Sequence, residues 1–268
     1  MLEHLLRLSR KESWDPAASK AEKVNQNTKP NNIVCIIPAR AGSKGLPGKH
    51  MKRINEEPVI SYAIEAARAV SILGRVLVST DDSEIIDYCN ENEIEAIKRP
   101  EKFATDTSSA ADALIHVVKV LEEECNVDIV VWLQANVPIR KPEHITEMLL
   151  KLDESKADSV ISLSKYSGPI EKALRLTDEN VCVSCWSERP KGMNRQSYPN
   201  SYYPNGSICV ITRSALMQKK RQSDPYDYFL GARVLGYVME EPQYGIEIND
   251  FRDLQLCRFY MSAQFTQY

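Results

Sequence analysis

Between Ile33 and Leu152 short apolar runs alternate with amphipathic stretches of helical length, and this alternation restricts the fold more than any other feature. Strands are expected at Ile33–Pro38, Val76–Ser79, Ile94–Ile97 and Ile129–Leu133. Helices are expected at Val59–Val70, Ser83–Glu91, Ser109–Glu124 and Pro142–Leu152. In the first of these helices Ile60, Ala63, Ile64 and Ala67 share one side, and Asp82 or Ser83 would cap the second. Ile129–Leu133 is continuously apolar, the pattern of a strand buried on both faces. Strand–helix alternation of this kind predicts an α/β fold with a mostly parallel sheet, helices on both faces and ligands at the carboxyl ends of the strands.

Beyond residue 152 the pattern changes. Ser159–Ser164, Ala173–Leu176, Val181–Cys185 and Ser207–Ile211 read as strands with little helix between them. Residues 186–204 form a long polar and aromatic loop, with Trp186, Tyr198, Tyr202 and Tyr203; such lengths are usually functional or interfacial. A last strand is expected at Tyr244–Ile248 and a final helix from Phe251 to about Met261, capped by Asp250. Residues 1–31 stand apart: Leu2, Leu5 and Leu6 precede polar, lysine- and asparagine-rich sequence, which reads as a mobile extension or a weak docking helix. The main domain is therefore 32–268.

The first strand opens into a loop carrying Gly42, Gly45 and Gly48, with Arg40, Lys44 and Lys49 spaced through it. Glycines let backbone N–H groups approach an anion and the cations neutralise it, so the loop suits a nucleotide phosphate. The alternative is an ordinary basic strand–helix connection. It is neither a P-loop nor a Gly-x-Gly-x-x-Gly turn.

Composition narrows the partners. A net charge of −3 gives no reason to expect nucleic-acid binding, so a polyanion must be held by a local basic loop. No apolar run approaches a membrane span, and the N-terminal apolar part is too short and charged for a secretory signal. Seven scattered cysteines suggest a reducing, cytoplasmic setting. Cys182-Val-Ser-Cys185 has redox or zinc spacing, but no second pair or nearby histidine completes a metal site, and strand residues are the better reading.

Arg40-x-x-Ser43-Lys44-Gly45-Leu46-Pro47-x-Lys49 resembles the signature loop of the acylneuraminate cytidylyltransferases, the CMP-sialic acid synthetases. Further blocks are similar and in order: Val78–Asp81, Arg99-Pro100-Glu101, Asp106–Ser109, Leu133-Gln134 with Pro138 and Arg140, Pro204-Asn205-Gly206 and Ile246–Ile248. The resemblance spans about residues 32–262 and implies a Rossmann-like nucleotidyltransferase sheet. It also implies a homodimer, with a β-rich dimerisation insertion at about 165–206 that closes over the partner's site. The implied reaction joins CTP to the anomeric hydroxyl of a 2-keto-3-deoxy sugar acid and releases pyrophosphate, with Mg²⁺ between substrate oxygens and Mn²⁺ as an alternative ion.

By this resemblance Arg40 and Lys49 contact the phosphates and are catalytic together with Glu247. CTP is held by Ala39, Arg40, Ser43, Lys49, His50, Arg99, Ser108 and Ser109. The sugar meets Gln134, Lys172, Arg195, Tyr203, Asn205, Glu247 and Asn249, with Arg195 reaching the neighbouring subunit's site. Lys172 could equally be a solvated charge, and Asp106–Ser109 could be a plain helix cap.

The departures from the family pattern are as informative. Where the family shows Asp-x-Asp, this chain has Glu247-Ile248-Asn249; strand alternation would put both side chains on one face. The metal set is then Glu247 and Asn249, with Asp81 a compensating carboxylate that could instead cap the following helix. His50 replaces an Asn, Asn136-Val137 a Thr-Ser pair, and Tyr203 an arginine, so the acceptor is less defined than the nucleotide. Neuraminate, legionaminate, pseudaminate or another nonulosonate would fit. Two alternatives stand beside this reading. One is a CMP-KDO synthetase, whose metal-binding Asp is replaced by Asn136. The other is a catalytically weak, nucleotide-binding regulatory homologue.

Overall fold

The computed structural model describes residues 32–42, 45–105, 108–185, 198–218 and 229–262. The chain runs β1 (Ile33–Ala39), a hairpin of β2 (Arg53–Ile54) and β3 (Glu57–Pro58), then helix α1 (Val59–Arg68). There follow β4 (Arg75–Thr80), α2 (Ser83–Glu91), β5 (Glu95–Lys98), α3 (Ala110–Leu121), β6 (Ile129–Leu133) and α4 (Pro142–Ser155). Then come β7 (Ser159–Lys165), β8 (Leu174–Leu176), β9 (Cys182–Ser184), β10 (Tyr202–Thr212), the short α5 (Arg213–Leu216), β11 (Val234–Val238) and α6 (Phe251–Tyr260).

Seven strands make one sheet in the order β11-β7-β10-β6-β1-β4-β5. β1 is parallel to both β4 and β6, β4 to β5, and β7 to β11; β10 runs antiparallel between β6 and β7. β4 and β5 lie to one side of β1 and β6 to the other, so the winding changes direction at β1. That change opens a crevice outside the carboxyl ends of β1 and β6.

β1 shows why the sheet sits between helices. Ile33, Cys35 and Ile37 pack with Ile60 and Ile64 of α1 and Met148 and Leu149 of α4. Val34 and Ile36 pack on the other face with Leu114, Val117 and Leu121 of α3. Each fully buried Ile or Leu contributes about 1.5–3 kcal/mol to this core. A third apolar cluster joins Ile54, Val59, Ile248, Leu254 and Cys257, with Leu46 packed against it, and ties α6 and residue 248 to the basic loop.

Two expectations need correction. Tyr244–Ile248 is not a strand: residues 241–245 form a turn, in which Gly245 has φ +80, and 246–249 run irregularly. The edge strand is β11, unforeseen because Gly236 interrupts its apolar run. A Cβ at 236 would meet Leu163 Cδ1 at 2.3 Å, so a larger residue there needs the end of that side chain to move. β10 is also longer than expected, with a register break between Pro204 and Cys209.

Residues 165–206 contain a separate two-stranded sheet, β8 with β9, whose residues are all exposed. Residues 1–31 and 186–197, including Trp186 and Arg195, lie outside the described residues.

Candidate active site

Leaving β1, the chain is tied down at once. The Ala41 N–H donates to Asp81 Oδ1 at 3.0 Å, and Arg40 Nη1 donates to the Thr105 carbonyl at 3.2 Å. Gly48, at φ +62, supplies the left-handed residue that starts the 3₁₀ turn Lys49–Met51. Gly45 is required for a different reason, because a Cβ there would sit 2.4 Å from the backbone oxygen of Asn249. The basic loop and residues 247–249 therefore touch through backbone.

A cavity of about 440 Å³ opens at the carboxyl ends of β1 and β6. It brings together Arg40, Lys49, His50, Arg99, Ser108, Ser109, Gln134 and Asn249 among the residues expected from sequence. Asn136, noted from sequence as a departure from the family pattern, also lines it, as do Phe103 and Trp132, which were not foreseen. Among the described residues its wall carries three cationic side chains and no carboxylate. Ala39 is fully buried at the end of β1, behind this wall.

Each polar group here has a local cause. Arg99 follows β5; its N–H donates to Thr80 O at 2.7 Å and its Nη2 to Ser79 O at 2.8 Å, fixing the guanidinium against β4. Burial lowers its pKa, opposed by the Asp81 charge. Lys49 is likewise lowered, by burial first, while Glu247 acts in the opposite sense. His50 is buried and pushed down to about 3 by desolvation and then by the Lys49 and Arg99 charges, so it is neutral at ordinary pH. Ser109 caps α3 in a reciprocal box with Asp112, and Ser108 Oγ donates to Lys102 O at 3.1 Å.

A second cavity, about 420 Å³, is lined by Tyr203, Asn205, Tyr244, Glu247 and Asp253 among others. Asn249 lines the first cavity and Glu247 the second, with Ile248 fully buried between them. Burial still alternates without a strand, but the two side chains expected on one face enter different cavities. What replaces the strand is an anchor. Ile248 N–H donates to Asn136 O at 2.8 Å, and Asn136 Nδ2 donates to Ile248 O at 3.0 Å and to Glu247 Oε1 at 3.1 Å. Asn249 Oδ1 accepts from Lys49 Nζ at 3.2 Å, and the Asn249 N–H donates to Asp253 Oδ2 at 2.9 Å.

The remaining expected residues are placed as follows. Asn205 is buried, its amide spent on Ser162, Ser164 and Met239, so its side chain holds the β10 turn. Gly206, at φ +70, lies against the Gln134 side chain, which a Cβ would meet at 2.5 Å. Lys172 is exposed, with Nζ 5.6 Å from the Tyr198 ring centre, and lines neither cavity. Asp81 also lines neither, and the cap of α2 is Asp82, whose Oδ1 accepts from Glu84 N at 3.0 Å. Ser43 lies outside the described residues.

Among the described residues there is no cluster of three or more His, Cys, Asp or Glu that could hold a metal. The donor set at the ridge between the cavities is one carboxylate, Glu247, and one amide oxygen, Asn249. The two line different cavities and the Asn249 oxygen already accepts from Lys49, so a Mg²⁺ here would have to keep most of its shell on a nucleotide and water.

The cytidylyltransferase family model matches residues 34–226. The chain belongs to that family. It is 30% identical over 222 residues to an N-acylneuraminate cytidylyltransferase of Streptococcus agalactiae serotype V, covering 82% of this chain and 51% of the relative. A pseudaminic acid cytidylyltransferase of Campylobacter jejuni is 26% identical over 188 residues, 69% of this chain and 81% of the relative. The chain spans about half the length of the N-acylneuraminate cytidylyltransferases it matches. In fold it resembles a CMP:2-keto-3-deoxy-manno-octonic acid synthetase complexed with CTP, at TM-score 0.65, 20% identity, and 87% and 99% coverage of the two chains. It also resembles a 4-diphosphocytidyl-2C-methyl-D-erythritol synthase of Anaerococcus prevotii, at TM-score 0.58 and 15% identity, covering 87% and 96%. The fold is thus shared with these two proteins.

Proposed function

We propose that this cytidylyltransferase moves CMP from CTP to the anomeric hydroxyl of a nonulosonic 2-keto-3-deoxy sugar acid, releasing pyrophosphate. The observation that carries this reading is the pair of cavities on either side of residues 247–249, one lined by cations and, among the described residues, no carboxylate, the other carrying Glu247 and Asp253. A triphosphate suits the first and a hydroxyl-rich acceptor the second. Relatives named for N-acylneuraminate and pseudaminic acid support an acceptor of that class.

In this reading Arg40 and Lys49 neutralise the triphosphate and stabilise charge on the departing pyrophosphate. Arg99 and Ser108 offer hydrogen bonds to the base, and His50, neutral beside two cations, fills space without adding charge. Tyr203 lines the acceptor cavity and Gln134 the nucleotide cavity, and the acceptor hydroxyl must lie in line with the α-phosphorus. Glu247 and Asn249 would hold Mg²⁺, or Mn²⁺ in its place. When bound, that ion would supply charge neutralisation to the triphosphate.

The exposed apolar residues Leu174, Leu176 and Val183 of the β8–β9 hairpin support a homodimer in which Arg195 serves the neighbouring site. We place the enzyme in the cytoplasm, where CTP is made; no described helix is long and apolar enough to cross a membrane. The test is pyrophosphate release from CTP and Mg²⁺ with a panel of 2-keto-3-deoxy sugar acids. Release with at least one nine-carbon acid supports the reading; release only with the eight-carbon acid would move the assignment to the KDO group.

A further inference from the structure

We infer that Asn136 is the positioning residue for Glu247, holding its carboxylate at the junction of the two cavities. The inference rests on the reaction proposed above for its kinetic consequence, but not for the contact itself. Asn136 is 5% exposed and lies two residues after Gln134, in the turn that follows β6. Its side-chain nitrogen has two protons, and the ridge takes both: Glu247 Oε1 at 3.1 Å and Ile248 O at 3.0 Å. Its carbonyl returns the contact by accepting from Ile248 N at 2.8 Å.

The turn that carries Asn136 is itself braced from beneath. Arg140, buried, donates to the Gln134 carbonyl at 2.7 Å and also to that of Val137. Support therefore runs from a buried guanidinium to the turn, then to the Asn136 amide, and then to the Glu247 carboxylate. Glu247 is exposed and its long side chain has several rotamers, so without this hydrogen bond it is poorly fixed. Only a group that donates can do this. Aspartate at 136 would instead set two carboxylates against each other, and alanine would leave both ridge acceptors without their partner.

The test is a mutant cycle on the full chain with Asn136→Ala, Glu247→Gln and the double variant. Asn136→Ala should lower kcat about 10–100-fold with the KM for CTP within about twofold of wild type. The double variant should be no slower than Glu247→Gln, because Asn136 acts through that carboxylate. Multiplying losses in the double variant would overturn the inference, as would a fall in melting temperature with kcat of the folded protein intact. Manganese calorimetry without nucleotide decides the contact independently of catalysis. Asn136→Asp should bind Mn²⁺ at least about tenfold more tightly than wild type, through the new carboxylate pair. Adding Glu247→Gln should remove the gain. If wild type proves inert with every acceptor, the reaction is misassigned, while the calorimetry still supports or refutes the contact. No gain with Asn136→Asp, or a gain that survives Glu247→Gln, refutes it.

Discussion

Replacing Gly45 by alanine should damage activity far more than a single methyl group ordinarily does. The new Cβ would lie 2.4 Å from the Asn249 backbone oxygen and 3.5 Å from its carbonyl carbon. An ordinary carbon–oxygen approach is roughly 3.3–3.6 Å, so the gap must open by about 1 Å. The oxygen cannot swing aside as a side chain would. Residues 248 and 249 are pinned through the Ile248–Asn136 pair and through the Asn249 N–H to Asp253. The basic loop must yield instead, carrying Lys49 away from Asn249. Overpacking of this kind costs about 1–3 kcal/mol, which is roughly 3–10 °C in melting temperature for a chain this size. A displacement of about 1 Å at a reacting centre can slow turnover by about 100-fold. Thermal unfolding and pyrophosphate release at saturating CTP would be measured beside Gly168→Ala, where a Cβ meets nothing within 4 Å. Gly45→Ala behaving like Gly168→Ala in both assays would refute the close approach and the coupling drawn from it.

Arg40→Ala should lower kcat by about 10²–10³, the usual loss when one stabilising group is removed from developing negative charge; turnover within threefold of wild type removes Arg40 from the mechanism. Asn249→Asp adds a second carboxylate beside Lys49 and should lower the Mg²⁺ concentration for half-maximal rate. A Mg²⁺ curve that does not move, with sugar KM or stability changed instead, would show that Asn249 only orients the sugar or the chain. His50 gives a pH prediction. Its folded pKa, near 3, lies below the ordinary 6.5, so as pH falls through 6.5 the unfolded chain takes up a proton that the folded protein refuses. Stability fully present above that pH should therefore fall by up to about 1.4 kcal/mol per pH unit between pH 6 and 4. His50→Asn should flatten that slope in denaturant unfolding, and equal slopes for both proteins would contradict the burial argument.

Much of the fold and of the first cavity is legible in the sequence, for identifiable reasons. Ile129–Leu133 and Ser83–Glu91 emerge with the bounds expected, because an unbroken apolar run and an Asp82 cap are local signals. The cations of the first cavity were equally visible, since Arg40 and Arg99 directly follow strand ends and Lys49 lies in the glycine-spaced loop after β1. What escaped depends on partners distant in sequence. β11 is disguised by Gly236, which packs against Leu163 on the neighbouring strand. Tyr244–Ile248 alternates like a strand yet turns at Gly245, and its alternation is kept by Asn136, more than a hundred residues earlier. Asn136 stood out as a departure from the family pattern, but its role follows only from the hydrogen bond it makes to Glu247. Phe103 and Trp132 reach the cavity through packing that no local spacing announces.

The central claim is that the ridge at Glu247–Asn249 joins a nucleotide cavity to a sugar cavity. The most direct measurement is ³¹P NMR of CTP incubated with the enzyme, Mg²⁺ and a nonulosonic acid. The account predicts equimolar pyrophosphate and a new phosphodiester resonance, assigned by mass to CMP joined to the acid. It also predicts that both signals vanish without the acid and are strongly reduced in Glu247→Gln, which should still bind CTP in calorimetry. Pyrophosphate formed with CMP alone, or an unchanged product yield in Glu247→Gln, would contradict it.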